Sequence, residues 1–203
     1  MRILDTVCTI MGMRAYAFPR NMTKAYVKRL LHILEHELRK DIQNGYYIFQ
    51  TGMDMGADIW CAGLICTLRE EFPNIRLHCF LPCETQANHW TELWREWYFD
   101  VLARADEVYC LERYYSRGCT ERRNIEMLAR SGKLILLYDR APSGGMRRAQ
   151  DYAARRKLET ASLSPARRKD GTADGDAPDY RSAQISSACL EGLSMGISAI
   201  KRA

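Results

Sequence analysis

Five short apolar runs punctuate the first 140 residues, and each is followed by a segment with helical periodicity. LDTVCTI (4–10) leads past Gly12 and Pro19 into residues 22–44, where Val27, Leu30, Leu31, Leu34 and Leu38 recur at helical spacing and Asn44-Gly45 closes the helix. YYIFQ (46–50) turns through TGMDMG (51–56) into ADIWCAGLICTLREEF, stopped by Pro73. IRLHCFLP (75–82) precedes a Trp-rich helix over 86–104. DEVYCL (106–111) is followed by a loop at 114–118 and the helix CTERRNIEMLARSG. KLILLYD (133–139) then leads through Gly144-Gly145 into MRRAQDYAARRK. Several of the strands are apolar on both faces. Strand–helix alternation with such strands specifies an α/β fold: a mostly parallel sheet covered by helices on both sides, in three layers and Rossmann-like. The ligand crevice of such a sheet lies at the carboxyl ends of its strands, near the switch in strand order.

Residues 158–182, rich in Ser, Ala, Gly, Asp and Arg, offer almost no apolar area to bury and are expected to be a disordered linker. Residues 183–203 regain some hydrophobicity and are expected to form a short C-terminal helix. The organisation expected is one domain over 1–157 followed by a disordered tail.

Charge narrows the function classes. Residues 1–139 hold 18 Lys+Arg and 18 Asp+Glu, so the formal +5 comes from the 12 basic and 7 acidic residues of 140–203 (12 − 7 = +5). A neutral body is no polyanion binder, and nucleic acid is an unfavoured partner. No apolar run reaches the roughly 20 residues that span a bilayer, and Asp5 interrupts the only stretch resembling a signal peptide. A cytoplasmic protein without membrane contact is expected. None of the eight cysteines forms a Cys-x-x-Cys pair; most sit in apolar runs, as small buried side chains in a reducing compartment, and no metal site is expected. Trp90, Trp94 and Trp97 share one helical face and are expected to pack.

Chemistry-bearing residues cluster after the strands: Gly12 and Arg14 after the first, Thr51, Gly52, Gly56 and Asp58 after the second, Glu84 after the third, Asp139, Gly144 and Gly145 after the fifth. Glycines permit close backbone approach, and amides at a helix N-terminus suit a phosphate. Together they point to a nucleotide or a phosphorylated sugar. Asp58 also suits a helix N-terminus through the dipole, and Glu84 suits a cap on the helix that follows.

In sequence and spacing, VCTIMGMR, TGMDMGADIW, CFLPCETQANHWTELWREWYFDVLARADEVYCL, YYSRGCTERRNIEML, KLILLYDRAPSGG and the later DYA resemble the YpsA-like proteins of bacteria and phages. These belong to the SLOG superfamily, with the DprA-like and Lonely-Guy-like (LOG) proteins. The resemblance covers about residues 2–155. It implies a Rossmann-like sheet and a ligand that is a nucleotide or nucleotide derivative such as NAD or ADP-ribose, with self-association common among relatives. The family's Gly-x-Asp/Glu pair falls on Gly56 and Asp58; Asp54, Arg123 and Asn124 lie in the most similar stretches and complete the candidate ligand-binding set.

The chain departs from the family at both edges of the implied pocket. The first-strand motif, usually Thr-Gly-His-Arg, is Met11, Gly12, Met13 and Arg14. The last, usually Gly-Gly-Thr with a second Thr three residues on, is Gly144, Gly145, Met146 and Ala149, and the usual Gly after Asp139 is Arg140. The LOG signature Pro-Gly-Gly-x-Gly-Thr-x-x-Glu falls on residues 143–151, with Arg147-Arg148 in place of the Gly-Thr phosphate turn and Asp151 at the carboxylate position. The resulting expectation is a nucleotide-binding or sensing module with little or no catalysis. A LOG-like nucleoside monophosphate phosphoribohydrolase using Asp58, Glu84 or Asp151 is the first alternative, and a DprA-like DNA-associated protein the second.

Overall fold

The structure, a computed structural model, describes residues 6–19, 23–139, 141–142 and 144–165. Among the described residues six strands and five α-helices alternate: β1 (Val7–Gly12), α1 (Lys24–Gln43), β2 (Ile48–Thr51), α2 (Ala57–Leu68), β3 (Arg76–Leu81), α3 (Glu92–Arg104), β4 (Glu107–Cys110), α4 (Cys119–Ala129), β5 (Lys133–Leu137), α5 (Gly144–Arg156) and β6 (Glu159–Leu163). All neighbouring strands pair in parallel, in the order β4-β3-β2-β1-β5-β6. The α/β class, the parallel sheet and the helices on both faces are those expected from the alternation.

The layers follow from side-chain alternation. In β5, Ile135 and Leu137 join one core, with Cys8, Ile10 and the inward faces of α1, α2 and α3. Leu134 and Leu136 point the other way and pack with Met11, Leu128, Ala149 and Ala153 beneath α4 and α5. Helix α2 is buried on nearly every side because it lies between the sheet, α1 and α3. Trp94 is fully in this core, with Trp97 edge-on at 5.2 Å and Trp90 partly buried beside it, so the tryptophans pack as expected. Trp90 precedes α3, whose N-cap is Thr91, and Glu84 caps nothing.

The expectation of a disordered linker from 158 is corrected at its start. Glu159–Leu163 forms the edge strand β6, in register with Lys133–Leu137. Its side chains are mostly exposed and small, and only Ala161 and Leu163 turn inward, too short an apolar alternation to stand out in the sequence. What holds it is the backbone ladder, the packing of those two side chains on the core, and Glu159, whose carboxylate lies 3.0 Å from the buried Lys133 ammonium and accepts from the Tyr46 hydroxyl at 3.1 Å. The remainder of the expected linker, the expected C-terminal helix and Cys189 lie outside the described residues.

The order of strands places the switch between β1 and β5. From β1 the chain steps outward through β2, β3 and β4, then returns to β5 on the opposite side of β1. Gly12 and Leu137 are register partners at the carboxyl ends of these two strands, and the connections that diverge there leave an opening above them.

Candidate functional site

A crevice of about 540 Å³ occupies that opening. Its floor is where the chain leaves β1. Gly12 sits against the first turn of α2, where a Cβ would come within 2.5 Å of the Ala57 Cβ. The next residues cross the β2–α2 loop: Met13 N donates to Leu137 O at 2.9 Å, Ala57 N to Met13 O at 3.0 Å, and Ala15 N to Met55 O at 2.8 Å. Gly56 makes the crossing possible. Its φ of +134° is strained for any L side chain, and a Cβ would lie 2.6 Å from Met13 O. Met53 in the same loop is buried with φ +54°, a conformation rare for a non-glycine residue and common near functional sites.

Two carboxylates are built into this floor with opposite electrostatics. Asp58, in the first turn of α2, accepts the Gly12 amide on Oδ1 at 2.6 Å and the Asp54 amide on Oδ2 at 3.3 Å. Burial, then the neighbouring charge of Asp54, pushes its carboxyl up to about 7 despite Arg123 and these two amides. Burial acts on Asp54 in the same sense, but the Arg123 and Arg14 guanidiniums outweigh it and hold its carboxyl below the usual range. Arg123 donates to Asp54 Oδ2 at 2.9 Å and Arg14 at 3.1 Å, and Gln86 Nε2 reaches Asp54 Oδ1 at 3.4 Å.

The opposite wall comes from the amino-terminal turns of α4 and α5. Gly118, Thr120, Glu121 and Asn124 of one and Gly144, Gly145, Met146 and Arg148 of the other line it side by side, joined by the Arg148–Glu121 ion pair at 3.0 Å. Arg123 Nε donates to Asn124 Oδ1 at 2.9 Å, which turns the Asn124 amide nitrogen toward the start of α5; a Cβ on Gly145 would be 3.6 Å from it. Asp139, beyond β5, accepts from the Tyr26 hydroxyl at 2.9 Å. Tyr16, Ala17, Tyr115 and Tyr138 complete the lining.

Of the residues expected from sequence, Gly12, Arg14, Asp54, Asp58, Asn124, Asp139, Gly144 and Gly145 line this one crevice. Thr51, Gly52, Gly56 and Arg123 lie beneath it as its frame. Arg123, 1% exposed, also donates to the carbonyls of Gly52 and Phe80, so its guanidinium is spent on the protein's own acceptors. Two expected residues lie elsewhere. Glu84 is exposed on the β3–α3 loop, its amide bonded to Glu112 O at 3.1 Å, because β3 is two strands away from the switch. Asp151 is in the second turn of α5, on the solvent side, against Arg147 at 3.5 Å. Tyr16, Tyr115, Thr120, Tyr138 and Arg148 are lining residues that the sequence reading missed. For Tyr16, Tyr115 and Thr120 the usable signal was topological: the loops after the first and fourth strands both open onto this crevice.

Among the described residues no group of three or more His, Cys, Asp or Glu is placed to hold a metal ion, and no helix is long and apolar enough to cross a membrane. Residues 8–165 match the family model of YpsA, described as the YspA SLOG family. Among curated relatives, a UPF0398 protein of Shouchella clausii is 31% identical over 121 residues, 58% of this chain and 64% of that protein, so the chain spans just under two thirds of its length. UPF0398 proteins of Bacillus velezensis (29% identical, 65% of this chain and 72% of that protein covered) and Halalkalibacterium halodurans (26%, 66% and 70%) are similar too. The chain therefore belongs to the YpsA family of SLOG proteins.

Proposed function

We propose that this chain binds a nucleotide or nucleotide derivative, of the NAD or ADP-ribose kind, in the crevice between β1 and β5, with little or no turnover. The observation that carries the reading is convergence: eight of the expected ligand residues, drawn from the ends of β1, β2 and β5 and the starts of α4 and α5, line one crevice at the strand-order switch. The amino ends of α4 and α5 offer amides and positive dipole to a phosphate, and the Asn124 amide lies beside them. The acidic floor suits ribose hydroxyls, as carboxylates do in other dinucleotide sites. The seven described cysteines are free thiols, which supports a reducing cytoplasm. Thermal-shift titration with NAD, ADP-ribose, AMP and cyclic nucleotides tests the reading, since a ligand that binds only the folded state raises stability by mass action. At least one should raise the melting temperature in proportion to the logarithm of its concentration; silence across the panel would sink the proposal.

One observation favours hydrolysis of an N-glycosidic bond as a second reading: Asp54 and Asp58 titrate apart, as a base and an acid of one site would. Against it, Asp151, the carboxylate that the LOG comparison requires, is outside the crevice, and both Asp58 oxygens already accept backbone amides. Release of free adenine from AMP during prolonged incubation would decide for the hydrolase.

A further inference from the structure

Two tyrosines stand at the mouth of the crevice, outside both hydrophobic cores. Tyr16 is 79% exposed and Tyr115 is 73% exposed, on the loops that follow β1 and β4, three strands apart in the sheet, yet both line the same crevice. Most large aromatic side chains of this chain are buried or half-buried, so two standing in solvent at one polar opening call for an explanation.

Both stand on braced loops. Tyr16 lies in a 3-10 turn, Ala15–Ala17, pinned by the Ala15–Met55 and Ala17–Arg14 backbone bonds. Two residues on, Phe18 stacks on Trp60 with ring centres 4.8 Å apart. Tyr115 lies in the β4–α4 loop, whose Glu112 is bonded to both Ser116 and Arg122 and whose Ser116 carbonyl accepts the Cys119 amide at 3.1 Å. With its backbone already braced, a tyrosine has only its side-chain torsions to order when a flat ligand stacks on its ring.

The charges inside the crevice point the same way. Both guanidiniums among its described lining residues face a carboxylate, Arg14 with Asp54 at 3.1 Å and Arg148 with Glu121 at 3.0 Å. A ligand rich in phosphate would therefore have to displace ion pairs, whereas a ligand with one or two phosphates needs only the amino ends of α4 and α5. Affinity must then come from elsewhere on the ligand, and the tyrosines provide a surface for it.

We propose that Tyr16 and Tyr115 form the base subsite of the crevice, so that the ligand is a nucleobase-bearing ribonucleotide with few phosphates, its ring stacked at the mouth and its sugar and phosphate directed to the floor. This rests on the nucleotide reading above. Stacking on an aromatic side chain contributes about 1–3 kcal/mol per base, or roughly five- to 150-fold in affinity.

The test is calorimetric titration with AMP, ADP-ribose and ribose 5-phosphate, the first and last differing only in the base. The wild-type chain should bind AMP at least about tenfold more tightly than ribose 5-phosphate. Tyr16→Leu and Tyr115→Leu should shrink that gap by weakening AMP and ADP-ribose alone, and phenylalanine at either position should restore most of it. Tyr114→Leu, at an exposed tyrosine of the same loop that does not line the crevice, controls for surface effects. Equal binding of AMP and ribose 5-phosphate, or a gap indifferent to both leucine variants, overturns the base subsite while leaving a sugar-phosphate site standing. No binding of any of the three overturns the nucleotide reading and this subsite with it.

Discussion

The carboxylate of Asp58 accepts the amide of Gly12 at 2.6 Å and so fastens the carboxyl end of β1 to the first turn of α2. The same group is buried beside Asp54 and its carboxyl is raised from 3.8 to about 7. A carboxyl raised in the folded state binds its proton more tightly there than in the unfolded chain. Its stabilising effect is therefore complete below the unfolded value, near 3.8, and is lost as pH rises through about 7. Asp58→Asn removes this dependence. It keeps an oxygen for the Gly12 amide but sets an NH2 against the Asp54 amide. In denaturant titrations the variant should be the less stable protein at pH 5 and should gain on wild type steadily up to pH 8. A constant difference across that range would show that Asp58 does not titrate there.

The backbone crossing above the floor depends on one residue. At Gly56 both the left-handed φ and the 2.6–2.9 Å approach of backbone atoms from residues 13–15 forbid a side chain. Gly56→Ala should cost more than about 2 kcal/mol and displace Arg14 from the crevice. Gly63, within α2, has open space at its Cβ position, so Gly63→Ala should stabilise by about 0.5–1 kcal/mol. Chemical denaturation of both variants tests the contrast; equal and small effects would mean that the crossing relaxes.

Helix–strand alternation made the fold legible because parallel strands buried on both faces must be apolar, as KLILL and VCTI are. The glycines and acids after β1, β2 and β5 were legible for a related reason: the switch in strand order gathers those strand ends. Glu84 carries the same kind of signal but follows β3, and nothing in a linear pattern reveals how far a strand lies from the switch. Tyr115 illustrates the converse, since an exposed tyrosine in a loop has no pattern until the fold brings it to the same crevice as Tyr16. Strand β6 was invisible because an edge strand held largely by backbone bonds needs only a small apolar face, here Ala161 and Leu163.

Arg123 was expected to touch ligand, and its burial assigns it a framing role with a measurable consequence. Its guanidinium neutralises Asp54 and satisfies the Gly52 carbonyl and Asn124 Oδ1. Arg123→Met leaves a buried carboxylate without its main partner, which should cost about 3–5 kcal/mol. Arg14, the second partner of Asp54, is 41% exposed at its side chain, and Arg14→Ala should cost less than about 1 kcal/mol while weakening nucleotide binding. Thermal melts and titrations on the two variants separate these roles. A large stability loss at Arg14 with none at Arg123 would reverse the assignment.

The last prediction concerns β6. Lys133 is buried, with Asp41 at 2.5 Å, Glu37 at 2.7 Å and Glu159 at 3.0 Å, so three segments distant in sequence meet on one ammonium. Glu159 is the exposed member, and Glu159→Gln should cost less than about 1 kcal/mol. Removing the whole strand is a different matter. A chain ending at residue 157 loses the ladder from Lys133–Glu159 to Leu137–Leu163 and bares the edge of β5, whose five residues are all buried. An apolar strand edge of that kind pairs with other chains. That chain should melt at lower temperature and aggregate relative to one ending at 165, which keeps the whole strand. Light scattering during thermal melts of the two truncations makes the comparison. If the chain ending at 157 stays monomeric and equally stable, β6 is an ornament of the sheet, and the domain ends at α5.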